Sequence, residues 1–223
     1  MVGLLWQVWN VVKEVVNRLI KLPELILTLA GLRFAKRMKV RIVVLRDERG
    51  LPLMSNDEAQ PAFEEARRIL ARMAGVDVQP AEWRVVTAPH AAPKAALDVH
   101  CTDGALSGAW RDDVGPAGAF FRELMAKTPG GTLTGYGAPV TVFVVRSITT
   151  HNGCSLGVAA DYVTIEAGAV KSTRRLLAHE VAHACGLWHS RRPNNLMIPK
   201  GPGEELTRGQ AAILRSSRHV TYF

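Results

Sequence analysis

The chain has 223 residues, enough for one domain with a sizeable core and an appendage. Its 48% hydrophobic and 22% charged residues are ordinary for a globular protein, and three cysteines are too few for a disulfide framework. A net charge of +8 admits anionic partners, yet no basic run interleaved with aromatics and no base-reading motif is present. A solvated basic surface is the simpler reading, and no nucleic-acid partner is expected.

Residues 1–38 form an amphipathic segment. Leu4, Val8, Val11, Val12, Val15, Leu19 and Leu22 recur at helical spacing, with Lys13, Glu14, Asn17, Arg18 and Lys21 between them. Pro23 should break or restart the helix. The longest charge-free runs, 1–12 and 25–32, fall well short of the ~20 apolar residues that a spanning helix needs. No positive charge precedes the first apolar run and no small-residue cleavage site follows it, so the segment does not read as a signal peptide, and a cytoplasmic or membrane-surface location is favoured over secretion. Two readings fit: a helix lying in the plane of an anionic membrane, aided by Arg33, Lys36, Arg37, Lys39 and Arg41, or a hairpin covering the domain or meeting a partner helix. Membrane or partner contact is favoured because the segment is more apolar than a usual surface helix.

A second unit, residues 39–223, should hold an α+β domain. Val40 to Leu45 is a short apolar run that predicts a buried strand. A helix over 61–74 follows, with Pro61 in its first turn and Gly75 past its end. A strand is predicted at 83–87, and 89–114 reads as loop, with His90 and His100 solvated and Asp112 and Asp113 given no role. A short helix over 116–127 stops at Pro129, Gly130 and Gly131. Val140 to Val145, β-branched and apolar, predicts a central strand, followed by a strand at about 157–165. A helix from about Ser172 carries the most informative stretch. Thr207 and Gln210 have capping-box spacing, predicting a last helix that ends near Ser217.

That informative stretch is HEVAHACGLWH, His179 to His189. His179 and His183, four apart, share one face of a helix and can point at one ion. Glu180 sits beside that ion without being forced to bind it. Gly186 allows a left-handed residue that ends the helix and lets the chain return His189 as a third ligand. Three neutral imidazoles leave a position open for water, as catalytic zinc sites do. Cys185, inside this stretch, reads as a small buried hydrophobe. Whether Cys101 and Cys154 pair is left open.

The pattern HExxHxxGxxH, followed eight residues later by Met197 in NNLMIP, resembles the metzincin clan of zinc peptidases. Ser190 after the third histidine and Pro199 two after the methionine resemble the matrixin branch. The resemblance implies a metzincin-like zincin fold: a mixed twisted sheet, a zinc-binding helix, a Met-turn at Met197 and a C-terminal helix. It implies one catalytic Zn2+ on His179, His183 and His189, and Glu180 as general base in hydrolysis of a peptide or protein substrate. It also implies that the last strand before the zinc helix forms the sheet edge, so that Gly157, Val158, Ala159 and Ala160 would take substrate backbone by strand addition. The cysteine-bearing propeptide motif and the upstream histidine cluster of matrixins are not visible, which argues against Cys101 capping the metal and against further ions. The rival function is a silent zinc-binding scaffold docked to a membrane or partner.

Overall fold

A computed structural model describes residues 2–101, 113–128 and 133–222. Two helices come first, α1 (Val2–Ile20) and α2 (Leu22–Leu29), with Pro23 in the first turn of α2. The domain then runs β1 (Lys36–Arg46), α3 (Asn56–Ala74), β2 (Val76–Ala91), α4 (Lys94–Leu97), β3 (Asp98–Val99) and α5 (Pro116–Leu124). After these come β4 (Val140–Val145), β5 (Ser147–Ile148), β6 (Gly153–Ser155), a 3-10 turn at Gly157–Ala159 and β7 (Tyr162–Glu166). Helices α6 (Ala167–Ser172), α7 (Leu176–Ala184) and α8 (Arg208–Ser216) and strand β8 (Val220–Thr221) complete the chain.

The main sheet has the order β2-β1-β4-β7-β6, with β8 pairing β1. Strands β2, β1, β4 and β7 are parallel, whereas β6 and β8 run antiparallel to their neighbours, so the sheet is mixed. Strand β4 is buried throughout because both faces of the sheet are covered. Val140, Val142 and Val144 meet α3 and α7 on one face; Phe143 and Val145 meet α5 on the other. Cys101 and Cys154 are joined by a disulfide, and Cys185 is a buried free thiol.

Several boundaries depart from the sequence reading. Helix α3 starts at Asn56 and takes Pro61 into its interior, because Ser55 and Glu58 form a capping box farther upstream; Gly75 ends it at φ 63°. Strand β2 extends well beyond 83–87. Its pairing with β1 jumps from Val40↔Pro80 to Ile42↔Val85, and this irregularity hides the first half from a period-two pattern. The helix over 116–127 stops at Leu124, and the expected stop at 129–131 lies outside the described residues. Between β7 and α7 stands a separate helix, so the helix that carries His179 and His183 starts at Leu176 and not Ser172. Within the expected loop at 89–114, Asp112 is not described, and Asp113 is buried, bonded by Gln7, Tyr162 and Arg122. His90 is exposed, as expected, its ring nearly perpendicular to that of Phe120 with centroids 5.4 Å apart. The capping box of Thr207 with Gln210 forms as expected.

The first two helices are docked inside out. Gln7, Asn10, Lys13, Glu14, Asn17, Lys21, Glu24 and Thr28 share one helical face and are buried, while most of the apolar residues between them face outward. Asn10 donates to the Ala159 carbonyl (3.0 Å) and Asn17 to that of Thr134 (2.9 Å). Arg218, fully buried, pairs with Asp161 (2.7 Å) and Glu14 (3.3 Å); Glu24 pairs with Lys36 and with buried Arg215. Lys21 donates to the carbonyls of Ser217 and Val220, both at 2.6 Å. Desolvation makes a buried charge tolerable only with such partners, so this seam ties α1 and α2 to the C-terminal segment.

His219 lies within this seam, its Nδ1 2.7 Å from the Ala138 carbonyl and Nε2 3.8 Å from Asp161. Burial, reinforced by Arg218 and opposed by Asp161 and Glu14, pushes its pKa down to about 4 from 6.5. Between those values the unfolded chain binds the extra proton, so this contribution to stability is intact above pH 6.5 and declines as pH falls toward 4. His219→Gln should flatten that part of the melting-temperature profile relative to wild type. Parallel profiles would show that His219 does not contribute.

Candidate metal centre

Helix α7 places His179 and His183 one turn apart, with Nε2 atoms 3.1 Å from each other. Gly186 ends the helical turn at φ 85°, its N–H on the His183 carbonyl (2.8 Å) and that of Leu187 on Ala182 (3.0 Å). This left-handed cap reverses the chain, as expected, and returns His189 to the other two. One ligand atom from each of the three histidines lies within 4.8 Å of the others. Zinc–nitrogen bonds of ~2.1 Å in tetrahedral array put ligand nitrogens about 3.4 Å apart, so small ring rotations let all three hold one ion.

The protein also sets which nitrogens face the ion. His179 Nδ1 sits 2.7 Å from the Leu196 carbonyl, and His183 Nδ1 2.7 Å from that of Leu187. A carbonyl can only accept, so each Nδ1 carries the proton and each Nε2 offers a lone pair. Burial holds both imidazoles neutral: His179 is pushed down to about 3 and His183 to about 4, each also lowered by neighbouring histidines. Two rings are largely enclosed and His189 is exposed, which leaves one side of the centre open. The donor set, tautomers and open side fit zinc.

Glu180 is buried, 5% exposed, and its carboxylate lies against β6: a Cβ added at Gly153 would fall 2.2 Å from Glu180 Oε1. With protein groups alone, burial pushes its pKa up to about 8 against the lowering charge of Arg175. Met197 is fully buried; its N–H reaches Asn195 Oδ1 (3.0 Å) and its carbonyl takes the Ser190 N–H (2.9 Å), so the 190–198 loop closes on itself.

The sequence reading missed two contributors. Arg175 donates to the carbonyls of Leu196 (2.6 Å), Ile198 (2.9 Å) and Gly201 (2.5 Å), clamping this loop against His179. Its signal was position: Arg175, His179 and His183 share one helix stripe at intervals of four. Gly153, after Asn152, reads as a turn in sequence, and only the pairing of β6 with β7 shows it to be a strand.

One expected site is misplaced. Gly157, Val158 and Ala159 form a 3-10 turn and Ala160 is buried, so none offers an extended edge. Gly157 takes φ 57°, the Val158 carbonyl receives Arg218 and that of Ala159 receives Asn10. The last strand before the zinc helix, β7, is interior; the edge beyond it is β6, Gly153–Ser155. Cys101 is held by Cys154 and does not cap the centre.

No family model matches the chain, and no curated protein matches it. Among solved structures it is similar to metalloproteinase-II from Bacteroides fragilis, with TM-score 0.52, 9% identity and alignment over 85% of this chain and 60% of that one. It thus spans about three fifths of the Bacteroides protein. A zinc-dependent peptidase from Methanocorpusculum labreanum aligns over 78% of this chain and 99% of its own at 11% identity, with TM-score 0.45. At such identities the likeness is one of fold. The chain thus shares its fold with the Bacteroides protein, and its three-histidine cluster has the donors and spacing to hold a metal ion.

Two outcomes follow from this geometry. His189→Ala should weaken zinc binding by at least about tenfold in a chelator competition, since it removes one of three ligands; unchanged affinity would exclude His189 as a ligand. Gly186→Ala forces a Cβ into a left-handed residue and toward Arg18 Nη2, 2.6 Å away. It should lower stability by ~1–2 kcal/mol in urea unfolding, and an unchanged midpoint would contradict the strained turn.

Proposed function

We propose that the chain is a zinc-dependent endopeptidase of the metzincin kind, nearest the matrixin branch in the residues after its third histidine. One observation carries the reading. Three imidazoles converge beside a buried, adjacent carboxylate, on the fold of a metallopeptidase. A single zinc ion on His179, His183 and His189 would supply a Lewis acid and a bound water whose pKa falls toward ~7.

The chain's own groups do the rest. His179 and His183, oriented by the Leu196 and Leu187 carbonyls, hold their lone pairs toward the ion. Glu180 takes a proton from the attacking water and delivers it to the leaving amine. A divalent cation beside this carboxyl favours its ionised form, offsetting the upward push of burial. Met197 acts as the apolar floor of a Met-turn, positioned by Arg175 through its hold on residues 196–201.

The substrate backbone would add to the outer edge of β6, which pairs only with β7 among the described residues. Gly153 and Ser155 bracket buried Cys154 there, and Glu180 lies directly behind the strand. Strand addition holds an extended peptide by its main chain, so side-chain selectivity falls to the pockets around it.

Glu180→Gln should retain wild-type zinc content and lose cleavage of a diverse peptide mixture by at least ~100-fold, read by sequencing new termini. Full cleavage by this variant would remove the general base from the mechanism. Zinc-loaded wild type that cuts nothing would instead assign the silent scaffold.

A further inference from the structure

The outward face of α1 and α2 is unlike an aqueous surface. Between residues 4 and 32 every exposed position is apolar, and Lys13, Glu14, Lys21 and Glu24 are all turned inward. Leu5, Leu19 and Ile20 are 64%, 66% and 73% exposed. The apolar surface covers α1 on every side except its polar seam, and α2 extends it. The seam cannot be turned out in exchange, because buried Arg215 would lose Glu24 and buried Arg218 would lose Glu14, one of its two carboxylates.

We propose that this face lies in the surface of an anionic lipid bilayer, with α1 and α2 parallel to the membrane plane. No helix among the described residues is long and apolar enough to cross a membrane, so the pair rests in the interface. Three features favour lipid over a protein partner. The surface is convex and apolar around the helix, a shape that acyl chains surround and a single protein face does not. Its exposed residues offer no hydrogen-bonding side chain besides the Trp9 indole, and only the partly exposed Arg18 borders them, whereas protein interfaces carry about one hydrogen bond per 100–200 Å². Where the segment ends, exposed Arg33 and Lys39 and half-buried Arg37 follow directly, and the chain's net charge is +8, complementary to anionic headgroups.

Docking would hold the metal centre near the bilayer. Arg18, on α1, donates to the Cys185 carbonyl (2.7 Å) at the end of the zinc helix. The proposal stands independently of peptidase activity.

The test uses the full zinc-loaded chain with vesicles of phosphatidylcholine mixed with phosphatidylglycerol. Wild type should float with the vesicles, and brominated acyl chains should quench the part of its fluorescence that Trp9→Phe removes. Val12→Glu combined with Val16→Glu places two charges on exposed positions of the face. The double variant should keep its melting temperature and zinc content while losing vesicle binding by roughly tenfold or more. Flotation unaffected by these charges would overturn the proposal. So would a wild type that ignores the vesicles and sediments as a dimer split by the double variant, which would give the face to a second copy. A monomer without lipid affinity, or one that leaves Trp9 unquenched, would overturn it too.

Discussion

The three-histidine cluster depends on a constraint that lies outside it: one nitrogen of each helical imidazole must be occupied by a carbonyl. His179 is oriented by Leu196 and His183 by Leu187, so two imidazoles four residues apart are held by stretches of chain beyond the helix. The Leu187 carbonyl is available only because Gly186 turns the chain back. The Leu196 carbonyl is available because Arg175 pins it, together with those of Ile198 and Gly201, from the turn before His179. Helix, cap and loop therefore form one device for presenting two lone pairs, with His189 closing the set from the solvent side.

A second set of polar contacts fastens the first helices to the domain. Buried ion pairs usually offer little net stability over apolar packing, but they discriminate strongly between arrangements, because breaking one leaves a charge unpaired. Glu14 and Glu24 accept from Arg218 and Arg215, whose side chains are among the largest fully buried. Helix α1 consequently has one register and one orientation against the turn at Gly157–Ala159 and the end of α8. The apolar residues are displaced outward by this choice, which gives the segment two unlike faces: one polar and buried, the other apolar and exposed.

The legibility of these parts differed with the range of the interactions that set them. The strand at Val140–Val145 and the last helix with its Thr207 cap were readable because alternation, β-branching and a four-residue box are local. So was the convergence of His179, His183 and His189, since helical spacing plus one glycine specifies it within eleven residues. The first half of β2 escaped because a pairing irregularity breaks its pattern, and the start of α3 because proline at 61 outweighed the upstream capping box. The edge strand was misassigned: apolar content around residues 157–160 resembles a strand, but Gly157 turns left-handed and spends the following carbonyls on Arg218 and Asn10.

By itself the sequence determined the three imidazoles, the adjacent carboxylate and the turn that gathers them, because these are set by helix pitch and by one residue's freedom at positive φ. It also determined that the first helices are amphipathic. Only the tertiary structure decided which of their faces meets the protein, since amphipathic spacing alone fits a covering hairpin as well as membrane or partner contact. The reason is that arginines more than 190 residues away supply partners for buried carboxylates, and no local pattern reports a partner so distant.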